Sequence, residues 1–182
     1  MSHSNTVRMI EYWSTLKGEE VAPPRASLNP ADFSDILTQS FMIGRTRPGE
    51  YPFRLAGALL EDLHRRPLRG SDFSALWTVG DRSKLQTAVE AALRRGEALL
   101  VETLGRSLQG REAKLEIMLA PFRGPSGKVD RLLGFYQPVS PLFLLQNQPI
   151  ERLFLQEIAF ASAGETVAAP VRIAAVDGRR IA

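Results

Sequence analysis

At 182 residues, with 44% hydrophobic and 24% charged side chains, the chain is long enough to bury a core and reads as globular. The absence of cysteine excludes disulfides, thiolate nucleophiles, Cys-ligated zinc and iron–sulfur clusters. The net charge is only +3, and basic residues are interleaved with acids, as in Glu61-Asp62 beside Arg65-Arg66, so a concentrated nucleic-acid footprint is lacking and no nucleic-acid partner is expected.

The first segment reads as a helix. Ser4 or Asn5 can cap it, Ile10, Trp13 and Leu16 share one face, and Gly18 can end it. That stripe is too narrow to stand alone and needs a docking surface. VAPPRAS, Val21 to Ser27, follows as a stiff spacer, because consecutive prolines stop a helix. At LNPADF a new helical start is signalled: Asn29 as N-cap, Pro30 at the first position, Asp32 complementing the helix dipole, and Leu28 with Phe33 as a hydrophobic staple.

Two strand-like runs, Phe41 to Thr46 and Tyr51 to Ala56, flank Pro48-Gly49, an order that suits a type II turn. Next, RLAGALLEDLHRRPLRGSDFSALW holds two short apolar clusters around Arg65, Arg66 and Arg69, each too short for a stable isolated helix. From Asp81 to Gly96 the pattern becomes regular, with Leu85, Ala88, Val89, Ala92 and Leu93 on one face, Asp81 as the expected N-cap and Gly96 as the stop. Three strands follow: Ala98 to Ser107, Arg111 to Phe122 and Val129 to Pro138. In the middle one, Leu115, Ile117 and Leu119 alternate with Lys114, Glu116 and Met118. Short Gly-containing turns between these runs argue an antiparallel meander.

After Pro141 the signal weakens. PIERLFLQEIAF, Pro149 to Phe160, fits a helical face of Ile150, Leu153, Phe154 and Ile158, and equally a strand with Leu153 and Leu155 on one side. From Ala161 onward a mobile tail is expected, with a sticky run at Val171 to Val176. The organisation read from this pass is 1–27 as flanking helix and spacer, 28–140 as the domain, and 141–182 as an extension. No apolar run approaches the roughly 20 residues that span a bilayer, and the opening residues lack a signal-peptide core. A cytoplasmic protein without membrane insertion is expected.

The element order resembles that of a PAS domain from about Leu28 to Ser140, and more narrowly the bacterial PAS proteins in which one such domain makes up nearly the whole chain. The residues that carry this are FRLAGALLEDLHRRPLRGSDFSALW, DRSKLQTAVEAALRRG and the ending LLGFYQP. The resemblance implies an α+β fold: a five-stranded antiparallel sheet with short helices on one side, plus the N-terminal flanking helix. It also implies a cavity walled by the sheet and the short helices, with Arg65, Arg66 and Arg69 on the solvated side.

Chemistry is sparse. His64 lacks a partner cluster for metal or haem and is expected to be a partly exposed structural residue. Haem-binding PAS domains usually carry their axial histidine on the long helix, which has none here, and light-sensing flavin PAS domains need a cysteine for their adduct. Phe53, Trp77, Met118 and Tyr136 are the candidate pocket residues, for a filled core or for a non-covalent small ligand. Glu61 and Asp62 diverge on a helix, and no phosphate loop or nucleophile motif occurs, so no enzyme activity is expected and there are no catalytic or metal residues to name. The expectation is a PAS sensory and regulatory protein acting in trans through protein contacts in bacterial signal transduction. Sensor histidine kinases lead the partner classes, a homodimer is expected, and Ile10, Trp13 and Leu16 form the interaction surface. The alternative is a receptor whose small ligand controls those contacts.

Overall fold

In the computed structural model, which describes residues 2–161, a single antiparallel sheet organises the chain. Among the described residues it has six strands: β1 (Ser40–Gly44), β2 (Phe53–Ala56), β3 (Ala98–Arg106), β4 (Glu112–Arg123), β5 (Val129–Pro138) and β6 (Arg152–Ala161). Their order is β2-β1-β5-β4-β3-β6. The helices are α1 (Ser4–Lys17), α2 (Ala58–His64) and α3 (Val79–Arg95), supplemented by 3-10 segments at Pro30–Gln39, Phe73–Leu76 and Leu142–Leu145 among others. The α+β class and antiparallel order match the expectation. The count of five strands is exceeded by one, because the ambiguous stretch after Pro149 is a strand that pairs with β3.

The meander β3-β4-β5 forms the centre, and its alternation divides the core in two. Leu115, Ile117 and Leu119 of β4 face α2, α3 and the 3-10 turn at Phe73–Leu76, in a cluster with Phe41, Phe53, Trp77 and Tyr136. The intervening Met118, Ala120 and Phe122 face the opposite way, onto α1 and Pro30–Gln39. A strand reverses its side chains at each residue, so one sequence run supplies both layers.

Both flanking helices are positioned by polar contacts as well as apolar stripes. In α3, Leu85, Ala88, Val89, Ala92 and Leu93 are buried as the stripe requires. Its N-cap is Thr78 rather than Asp81. The Asp81 carboxylate instead accepts from the Thr78 hydroxyl at 2.8 Å and from the Leu155 amide at 3.0 Å, which ties α3 to β6. The N-cap of α1 is His3, whose Nδ1 accepts from the Asn5 amide, one residue before the expected cap.

The segment expected to be a stiff spacer is also pinned to the sheet: the Arg123 amide donates to the Pro23 carbonyl at 2.8 Å, and Pro24 bridges to Arg123. Asn29 caps the next turn through Oδ1 and the Ala31 amide, but that segment is a 3-10 run kinked at Phe33 rather than an α-helix. Between β1 and β2 the Arg47 carbonyl accepts from the Glu50 amide at 3.0 Å, with Gly49 at φ +85°. That is the type II turn expected of Pro48-Gly49, and the positive φ is what requires glycine. The expected tail after Ala161, with the run Val171 to Val176, lies outside the described residues.

Candidate functional site

The space between the sheet and the short helices is built from aromatic rings. Phe41 and Phe53 have centroids 5.5 Å apart, Phe41 and Phe73 5.5 Å, Phe53 and Phe73 5.8 Å, and Phe73 and Trp77 5.9 Å. These are direct ring contacts. Phe53, Phe73 and Trp77 are all essentially without solvent exposure. Local sequence explains the placement: Asp72 caps the Phe73–Leu76 turn by accepting from the Ser74 amide, and its carboxylate also takes the Tyr51 amide, so the turn is clamped beside β2.

At the far end of this layer Tyr136 of β5 and His64 at the end of α2 form a buried relay. His64 Nδ1 lies 3.1 Å from the Ile150 carbonyl oxygen, which can only accept, so Nδ1 carries the proton. Nε2 is then a bare acceptor, and the Tyr136 hydroxyl donates to it at 3.0 Å. Desolvation by burial pulls the imidazole down to about 4, with the Ile150 contact opposing and the Arg66 charge assisting. The same burial pushes the Tyr136 phenol far above its ordinary range. The Ile150 amide donates back to the Leu63 carbonyl at 2.8 Å, and Arg65 bonds to Asn147, so the approach to β6 is stitched onto the end of α2.

Three of the four expected pocket residues, Phe53, Trp77 and Tyr136, lie in this inner layer. Met118 does not. It lies on the outer face with Trp13 and Phe122, because it falls out of phase with Leu115, Ile117 and Leu119. His64, expected to be partly exposed, is buried, and its two long-range partners account for that. Trp77 carries a polar loose end in this layer: its Nε1 is buried and has no hydrogen-bond partner among the described residues. Arg65, Arg66 and Arg69 lie on the exposed side, as expected.

The expected interaction surface is largely engaged within the chain. Ile10 and Trp13 are buried against the outer sheet face, Leu16 is half-buried, and Trp13 Nε1 donates to the Pro121 carbonyl at 2.8 Å. At its start α1 also closes over polar sheet residues, through the His3 amide to Glu116 and the Asn5 side chain to Gln137. Four of the large apolar side chains that remain exposed lie at one end of the sheet. Val139, Phe143 and Leu144 lie in the β5–β6 connection, and Leu108 tops the β3–β4 turn at the same end of the sheet. Sequence reading missed that group, although the run Leu142 to Leu145 was a concentrated apolar signal there.

The antiparallel sheet order, the helices on its inner face and the docked N-terminal helix define a sensory domain of the PAS type. The sequence model of the PAS domain family matches residues 1–137, and the chain belongs to that family. No curated protein matches the chain. Among solved structures, it is similar to a light-oxygen-voltage domain studied with a flavin analogue, at 21% identity and TM-score 0.45, covering 59% of this chain and 81% of that one. It is also similar to the Rhodobacter sphaeroides LOV protein, at 16% identity and TM-score 0.46, with 63% and 70% covered. A third is an RNA-binding light-oxygen-voltage receptor, at 20% identity and TM-score 0.48, with 69% and 37% covered. Family membership gives the chain a sensory role in signal transduction. No helix of the described residues is long and apolar enough to cross a membrane.

Proposed function

We propose that this PAS domain is a non-enzymatic regulator that works in trans, by contact with separate signalling proteins. The observation that carries the reading is the exposed apolar cluster at one end of the sheet. Phe143 is 76% exposed and Leu108 78%, beside Val139 and Leu144, while the neighbouring Leu145 is buried and anchors the turn that presents them. Exposed apolar side chains held at one end of a rigid sheet are the kind of surface that protein contacts use. With Ile10 and Trp13 engaged in cis, this end patch is the better partner surface, and α1 becomes available only by undocking. Sensor histidine kinases are the first partner class to test, and self-association into a homodimer the second.

The experiment is capture of purified candidate kinases by the immobilised full chain, beside the Phe143→Ser/Leu144→Ser double variant, with light scattering for oligomeric state. Both residues are exposed, so the variant keeps its fold. Partner capture that falls at least tenfold in the double variant supports the reading; capture indifferent to it removes the end patch as the surface. DNA and RNA are included as competitors, since an RNA-binding receptor is among the similar structures.

One observation favours a second reading, a ligand-gated form of the first. The unpartnered Trp77 Nε1 in the inner layer is a donor that an acceptor atom of a small non-covalent molecule would satisfy. Native mass spectrometry tests it: a bound mass lost in Trp77→Phe supports the ligand, and a bare polypeptide mass after isolation from cells argues for a filled core.

A further inference from the structure

A second concavity lies on the opposite side of the sheet, at the corner of β2, β1 and β5 that α1 leaves uncovered. Its floor is one cross-strand row of outer-face residues, Leu55 of β2, Met42 of β1 and Leu133 of β5. Leu28, Phe33 and Leu37 wall it from the facing segment, and Arg25 stands at that wall. Its volume is about 210 Å³. That is smaller than the sites that enclose drug-sized molecules, and suits one slender apolar chain.

The next row along the same strands is basic. The register shifts between Met42 and Ile43, so that Ile43 pairs with Phe53 and Arg54 is the extra residue of β2. Such a bulge re-aims a side chain, and here it turns Arg54 onto the outer face beside Leu55. Gly44 of β1 pairs with Arg131 of β5. A Cβ on Gly44 would lie 2.8 Å from Arg54 Nε and 3.1 Å from Arg131 Nη1, so two guanidiniums converge over the space this glycine leaves open. Arg54 and Arg25 have no hydrogen-bond or ion-pair acceptor among the described residues, whereas Arg131 contacts the Asp130 carboxylate at 3.1 Å. Two like charges and one acid leave one positive charge facing outward, and an anion would relieve the repulsion. The apolar row and the basic row are one pleat repeat apart, about 7 Å.

We propose that this corner binds a small anionic amphiphile, a free acyl-chain carboxylate, with its chain on Leu55, Met42 and Leu133 and its carboxylate at Arg54 and Arg131. The apolar row supplies chain-length dependence, and the guanidinium pair supplies selectivity for a single negative charge. The edge strand β2 has only four residues and carries the bulge, so it offers little ladder for an added peptide strand. This site is separate from the end patch and meets the inner layer only at its edge, through Phe41 and Ala56.

The test is calorimetric titration of the full chain with decanoate below its micellar concentration, beside octanoate, hexanoate, decanol and decyltrimethylammonium. Saturable one-to-one binding of decanoate is expected, with about fourfold weaker binding for each methylene removed. Arg54→Gln should weaken it about tenfold, the scale of one charge-assisted hydrogen bond. Leu55→Gln, also at an exposed position, should flatten the dependence on chain length. Melting temperatures close to wild type check both folds. Decanol binding as well as decanoate, Arg54→Gln binding unchanged, or binding only to anionic phospholipid vesicles or to an acidic peptide would each overturn the proposal.

Discussion

Between pH 6.5 and 4, acidification should destabilise the domain through His64. Its imidazole is held neutral in the fold with a pKa of about 4, against an ordinary value of 6.5. The folded value is depressed, so between these limits the unfolded chain binds the proton more readily than the folded one. The contribution is therefore fully present above pH 6.5 and is lost as pH falls towards 4. The two values differ by about 2.5 pH units, and at 1.36 kcal/mol per unit the loss is about 3 kcal/mol by pH 4. For a domain with an ordinary margin of 5–15 kcal/mol that is a large fraction. The assay is urea unfolding at intervals from pH 7.5 to 4.5, comparing wild type with His64→Gln, whose amide can still meet Ile150 and Tyr136 but cannot titrate. Carboxylates shared by the two proteins cancel in the difference. The wild-type curve should fall relative to the variant below pH 6.5. Parallel curves would refute the argument, as would an NMR titration of His64 with a midpoint near 6.5. The sequence holds only two histidines, so assigning that signal is direct.

Two further outcomes are expected. Trp13→Ala removes a fully buried indole and strands the Pro121 carbonyl, and should cost about 3–5 kcal/mol in chemical denaturation; a loss below 1 kcal/mol would show that α1 does not dock as described. Gly134→Ala places a methyl group against the ring of Phe41, itself stacked on Phe73, and should cost at least about 1–3 kcal/mol by overpacking; an unchanged melting temperature would contradict the packing of the inner layer.

Local grammar was readable in the chain: the stripe of α3, the meander β3–β5, the type II turn and the Asn29-Pro30 start all rest on nearest-neighbour rules. β6 was not, and the reason lies in a bulge. Its pairing with β3 shifts between Glu102 and Thr103, leaving Gln156 as an extra residue. Core-facing side chains then fall at 153, 155, 158 and 160, neither a clean period of two nor of 3.6. Met118 was assignable from the alternation of β4 alone, since its neighbours Ile117 and Leu119 point inward. His64 was a different kind of miss. Its burial depends on Tyr136, 72 positions away, and on Ile150, 86 away, and no local pattern announces such partners.

The pinning of Trp13 to Pro121 also bears on the order in which the chain can fold. The two residues are 108 positions apart, and Met42 pairs with Leu133 across a comparable stretch. Contacts of such separation carry loop-closure entropy and form slowly, whereas β3, β4 and β5 are joined by short turns and can pair locally. During synthesis α1 emerges before the sheet, and its platform does not exist until β4 and β5 have followed. For that interval Met9, Ile10 and Trp13 are an uncovered stripe on a nascent chain. A helix made before its platform is thus among the last of these elements to settle, and its closure over the outer face marks a completed sheet.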